Sequence, residues 1–395
     1  MKKIYKMTDI TKDTIKIDRI KKNKNINSKK HKVKSLKTKK LLINNDNNKS
    51  GTKLLEYISF AKIIAVFSVV ILHTNSAFWK FKYNSYKTYW LSANRIHCIF
   101  YFAVPIFVLC IGATLLDFNE KYGLLKYFYK RITKVVMPMI CWNIILYLYR
   151  VYILKTFKKE KLTFVKIWNI YYGHEVYFIF ESFHIFLIGY MIIPLLAYVQ
   201  KSEKVKIYSY CFITLLITQT ICPYLINLFE PRLKWIYSIK VGYIIYIFAG
   251  YIIQNYKFKK IWKIIIYFLG ICSLLVHMIG TKILTLKYRK INLLHKGYLN
   301  LPCIIYSCAV FLFIKEYTYL LFKIIDSKKI NKIGSLTIGP FFMHLPIKDA
   351  CKKYFKSINY FGLQYRLFGG FLICLFCLII TFYLKKIPII KYLVP

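Results

Sequence analysis

Acidic side chains are scarce in this chain of 395 residues: 15 Asp and Glu stand against 62 Lys and Arg, for a formal net charge of +47. A charge of that size invites a nucleic-acid reading, but nucleic-acid binders carry their charge on a solvated face of a folded domain. Here the lysines cluster in the first 50 residues and in short links between apolar runs. That distribution fits residues at both surfaces of a lipid bilayer and a basic tail beside anionic lipid. No nucleic-acid partner is expected. The signatures of soluble enzymes are missing as well: there is no G-x-S-x-G, no Walker A loop, no H-E-x-x-H and no Gly-rich dinucleotide fingerprint. No His/Cys cluster has metal-ligand spacing, so no metal is expected. Most of the 11 cysteines lie inside apolar runs, where Cys behaves as a small hydrophobe, and no disulfide framework is implied. Cys374 and Cys377 form a C-x-x-C, but within an apolar run and without a second pair. Residues 1–50 lack the apolar stretch and cleavage site of a secretory signal. No internal repeat supports a transporter-like symmetry.

What the chain has in abundance is apolar surface. Hydrophobic residues make up 57% and aromatics 18%, against about 45–50% apolar in soluble domains. The excess falls after residue 50, in runs of roughly 17–23 residues, each long enough to cross a ~30 Å hydrocarbon core. The runs are continuously apolar, which favours helices over the in–out alternation of a membrane barrel. The expected fold is an all-α polytopic membrane protein of about ten transmembrane helices. They are placed at 54–76, 96–116, 135–154, 177–199, 207–228, 237–255, 264–280, 299–316, 333–350 and 366–385. Residues 1–50 carry 17 Lys/Arg and four Asp, with almost no aromatics. They read as a disordered basic tail that cannot bury enough surface to order itself. The remaining 51–395 form the membrane domain. The links between spans do not follow the positive-inside tendency, so the basic tails set the orientation, with both termini cytoplasmic.

Ionisable groups within spans are costly and mark candidate sites. His73 ends the first run and is followed by small polar residues. A His of near-neutral pKa can take a proton from a hydroxyl and return it; it can equally cap the helix or bond a neighbouring carbonyl. Lys62 lies about 16 Å before His73 along a helix, at ~1.5 Å per residue, and alone reads as a snorkelling lysine. The Lys130–Trp142 stretch follows the second run, and Arg131 and Lys134 there suit either phosphate binding or ordinary membrane anchoring. His344 lies in the ninth run, and Glu181 and His184 in the fourth. Each alone reads as a polar contact between helices; converging, they would make a polar cavity inside the bundle. His97, His174, His277 and His295 carry no assignment.

The order and spacing of these residues resemble the acyltransferase 3 family of membrane acyltransferases, in its surface-polysaccharide O-acetyltransferase branch. The first helix of that family reads R-x-x-A, seven residues, then His; Lys62, Ala65 and His73 stand at those positions, with Lys for Arg. Val104, Pro105, Phe107 and Gly112 match V-P-x-F-x-x-x-S-G, with Ile111 for Ser. Arg131, Pro138 and Trp142 match R-x6-P-x-x-x-W. Tyr190 and Pro194 match a closing Y-x-x-x-P, while the H-x-W-F that opens that helix has no counterpart. Gly339 and His344 match G-I-Y-x-x-H, with Pro340-Phe341 for I-Y. The resemblance runs from about residue 54 to the end. It implies transfer of an acetyl group from cytoplasmic acetyl-CoA to a hydroxyl of an envelope polysaccharide or lipid-linked glycan. On that analogy His73 is the general base or carries the acyl group. Arg131 and Lys134, with Lys62, would steady the CoA phosphates, and His344 and Glu181 would line the acceptor side. The alternatives are a polysaccharide export component that retains the fold, and a structural or regulatory membrane protein without acyl chemistry.

Overall fold

The computed structural model describes residues 56–155, 163, 165, 191–229 and 242–395, and these contain helices and no strand. The expected tail, with Glu181, His184 and Tyr190, lies outside the described residues. Helix α1 is Glu56–Thr74. The segment Tyr83–Glu120 holds α2 (Tyr86–Ile99) and α3 (Ala103–Leu115). Then come α4 (Leu124–Leu154), α5 (Lys204–Phe229), α6 (Ile244–Asn255), α7 (Lys260–Tyr288) and α8 (Leu301–Leu321). The chain closes with α9 (Ser327–Leu336), α10 (Ile338–Tyr354) and α11 (Tyr365–Leu384).

Seven of these segments are long and apolar enough to cross a membrane: α1, the α2–α3 segment, α4, α5, α7, α8 and α11. The expected ten are not reached among the described residues. The run at 177–199 lies largely outside them, and the run at 237–255 contributes the 12-residue α6. The run at 333–350 is divided at Thr337 between α9 and α10, and Lys348, Asp349, Lys352 and Lys353 make the second half of α10 too polar for a span.

The faces of α7 reveal the solvent for which this fold is built. Its buried residues are Gly270, Ser273, His277, Thr281 and Thr285, spaced three or four apart along one helix face. Phe268, Ile271, Leu275 and Ile279 face outward. A helix with its small and polar side inward and its apolar side outward is stable in hydrocarbon, where lipid rather than protein meets the apolar surface.

Helix contacts then depend on shape. At Gly112 of α3 an added Cβ would lie 2.0 Å from the Ile247 carbonyl oxygen, and at Gly250 of α6 one would lie 2.1 Å from that of Leu109. The two backbones touch through reciprocal glycines. Elsewhere, Val66 and Val70 of α1, Trp142 and Leu146 of α4, Phe342 of α10, and Cys374 and Cys377 of α11 share one apolar core. Pro105 positions the site. It has no N–H for the Tyr101 carbonyl, and its ring crowds that group, so the helix breaks at 100–102 between α2 and α3. The break turns Tyr101 onto the wall of a cavity.

Candidate active site

His73 stands one residue before the end of α1, and the turn after it is clamped from two sides. The Thr74 hydroxyl donates to the Arg366 carbonyl at 2.9 Å, and Asn75 Nδ2 donates to the Ala93 carbonyl at 2.8 Å. The Arg366 guanidinium, 1% exposed, donates to Asn75 Oδ1 at 3.3 Å and to Ser92 Oγ at 2.7 Å. A buried guanidinium with several acceptors is a rigid tie. It fixes the end of α1 against α2 and α11.

The ring of His73 lies 4.9 Å from that of His344, centroid to centroid, at an interplanar angle of 42°. His344 is 3% exposed, and its Nδ1 sits 2.6 Å from the Pro340 carbonyl one turn earlier in α10. A carbonyl only accepts, so Nδ1 carries a proton and Nε2 of the neutral ring holds a lone pair. That Nε2 has no hydrogen-bond partner among the described residues.

Both histidines line a cavity of about 760 Å³. On one side are Arg150 of α4 with Lys348 and Asp349 of α10. Asp349 lies 3.6 Å from Arg150 and 3.7 Å from Lys348, so one carboxylate serves two cations. On another side are His97, Tyr101, Lys296 and Tyr298. The rings of Tyr101 and Tyr298 stack at 4.3 Å and 7°. Trp79, 52% exposed, lies at the same cavity. The site therefore combines a proton acceptor of fixed tautomer, a second imidazole against it, aromatic faces and several cations. It has the groups to deprotonate a hydroxyl beside a bound, polar substrate.

Of the residues singled out in the sequence, His73 and His344 come together. Lys62, Arg131 and Lys134 do not line this cavity. Lys62 is part-buried in the first half of α1, near Cys110 of α3. Arg131 lies 5.5 Å from the Tyr127 ring centroid, and Lys134 is exposed near Lys385 at the end of α11. Arg131 is roughly 28 Å from Arg150 along α4, at ~1.5 Å per residue, and so stands at the opposite end of that helix. Glu181 lies outside the described residues. Three of the matched motif residues have packing roles: Gly112 as above, Gly339 directly against Thr381 of α11, and Trp142, which donates to the Leu393 carbonyl at 2.9 Å.

Sequence reasoning missed His97, Arg150, Lys296, Lys348 and Asp349. Arg150 and Asp349 lie far apart in the chain, and nothing in their spacing foretells the pairing. Lys296 sits in a link, where a lysine ordinarily reads as solvated. The combination His295-Lys296-Gly297 in a link rich in apolar and aromatic residues was the available signal.

A family model described as an acyltransferase domain matches residues 55–384. No curated protein matches the chain, and no solved structure does.

Proposed function

The chain belongs to the acyltransferase 3 family and is a membrane acyltransferase; we propose that it carries an acetyl group from cytoplasmic acetyl-CoA to a hydroxyl of an envelope polysaccharide or lipid-linked glycan. The observation that carries this reading is the meeting of His73 and His344, 4.9 Å apart, at the wall of one cavity. In the proposed reaction His73 takes the proton from the acceptor hydroxyl. The hydroxyl oxygen bonds to the thioester carbonyl carbon, and the carbon–sulfur bond breaks. The CoA thiolate leaves and takes the proton back from the His73 imidazolium. His344, with its Nδ1 proton committed to Pro340, offers Nε2 to the acceptor or to the neighbouring ring. Glu181 is assigned to the same acceptor side.

Arg131 and Lys134, with Lys62, are the proposed holders of the CoA phosphates. Their distance from the cavity supports a donor bound end-on, because the pantetheine arm separates the phosphates of CoA from its thioester. The orientation that goes with this reading puts both termini and the basic cluster on the cytoplasmic side of the cell membrane.

The test is His73→Ala in cells that make normal amounts of the protein, with O-acetyl groups on surface glycans measured by mass spectrometry. Loss of a general base lowers transfer by about 10²–10⁴-fold, and acetylation is expected to vanish. Unchanged acetylation removes His73 from the mechanism.

A further inference from the structure

Lys296 is a buried cation without an acidic partner among the described residues. It lies in the link between α7 and α8, yet is 1% exposed. Its Nζ is 3.7 Å from Cys98 Sγ and 3.4 Å from the centroid of Phe78. The titratable groups facing it are His97, Cys98 and Tyr101 from the α2–α3 segment, His277 from α7 and Cys303 from α8. None is a carboxylate. Taking a lone ammonium out of water costs several kcal/mol unless something pairs with it. Burial lowers its pKa to about 8, which leaves it mostly charged at neutral pH. No carboxylate among the described residues offsets that cost, and the side chain lines the cavity that holds His73 and His344.

The rest of the cavity points the same way. Arg150 and Lys348 share one carboxylate, Asp349, so among the described residues three cations line the cavity with a single acid. The walls also carry aromatic faces, from Trp79 and the Tyr101–Tyr298 stack, of the kind on which the C–H face of a sugar ring rests. His97 Nδ1, buried beside Lys296, has no hydrogen-bond partner among the described residues. Excess positive charge, flat aromatic faces and an open imidazole nitrogen suit a sugar bearing an oxyanion.

We propose that the acyl acceptor is an anionic saccharide, whose carboxylate or phosphate pairs with Lys296 while one of its hydroxyls faces His73 and His344. This rests on the acyl-transfer reading above and narrows its substrate class.

The test is thermal-shift titration of the full chain in lipid nanodiscs. Four probes are compared: glucuronate, glucose 1-phosphate, glucose and acetyl-CoA. A ligand that binds the folded state raises the melting temperature, by more the tighter it binds at a given concentration. The two anionic sugars should shift the wild type more than glucose does. That preference should fade well above pH 8, as Lys296 loses its proton. Lys296→Met keeps the apolar stem over Phe78 and removes an unpaired buried charge, so it should fold. It should weaken binding of both anionic sugars by at least about tenfold, the worth of a charged hydrogen bond, and leave glucose unchanged. A response to only one anionic sugar identifies the oxyanion as carboxylate or phosphate. Equal shifts by glucose, no shift by either anionic sugar, or an unaltered response in Lys296→Met overturns the proposal. Loss of the acetyl-CoA shift alone in that variant also overturns it, by placing the anion on the donor. These shifts need no turnover. Failure here leaves acyl transfer standing, and unchanged acetylation in His73→Ala leaves these shifts standing.

Discussion

At the scale of single residues, the site depends on what each side chain is prevented from doing. His344 is held in one tautomer, because its Nδ1–H donates to the Pro340 carbonyl. His344→Phe keeps a ring against His73 and loses both nitrogens. It is expected to lower acetyl transfer by about 10²-fold or more while melting close to the wild type. Transfer of isotopically labelled acetyl groups together with a melting curve checks both halves, and full activity in the variant would sink the assigned role. Lys296 is constrained by burial. In the unfolded chain it titrates near 10.5, and in the folded chain near 8. Below pH 8 both states are protonated, and the folded state bears the whole cost of a buried cation. Between pH 8 and 10.5 the folded state sheds a proton that the unfolded state keeps, so stability rises with pH and the cost fades. Without ligand, Lys296→Met should therefore be more stable than the wild type at neutral pH, by roughly 3 kcal/mol at ~1.4 kcal/mol per pKa unit. The advantage should shrink towards pH 10.5. Paired melts across that range decide the matter, and a constant or absent advantage contradicts the account.

At the scale of elements, two kinds of fit hold the helices together. One is the reciprocal glycine contact of α3 and α6, where each backbone occupies the space a Cβ would need. Gly112→Val drives a side chain into the Ile247 carbonyl, which cannot move without moving α6. A cost of about 3 kcal/mol or more is expected for such overpacking, with the same order for Gly250→Val. Because both variants part the same two helices, the double variant should cost less than the sum of the singles. Melting in detergent measures all three, and additive costs would argue against a shared contact. The other fit is the polar clamp that Arg366 makes on the turn after His73. Helix existence was legible in the sequence because a continuous apolar run of membrane length has few other fates. The break between α2 and α3 was legible at Pro105, although the expected span at 96–116 ran straight through it. The division of 333–350 at Thr337 was not foreseen. There the apolar run continues into Lys348 and Asp349, and these two side chains line the cavity.

At the scale of the whole molecule, polar groups far apart in sequence meet in one cavity within an apolar frame. The spacing from Lys62 to His73 and from Gly339 to His344 named two residues that the fold does bring together, His73 and His344. Their partners came from elsewhere: Arg150 from the end of α4, and Lys296 from a link, although Lys296 itself is almost wholly buried. Long-range pairing of this kind leaves no local period, and so a single sequence cannot announce it. The basic cluster at Arg131 and Lys134 stands apart from the cavity, which separates the proposed donor end from the proposed acceptor end. The proposed role of this membrane acyltransferase is to decorate an envelope glycan. Mass spectrometry of surface glycans from cells with and without the gene tests it most directly. Deletion is expected to remove O-acetyl groups while the amount of exported polymer stays the same. Trapped, unexported polymer with unchanged acyl content would contradict it and identify an export component instead.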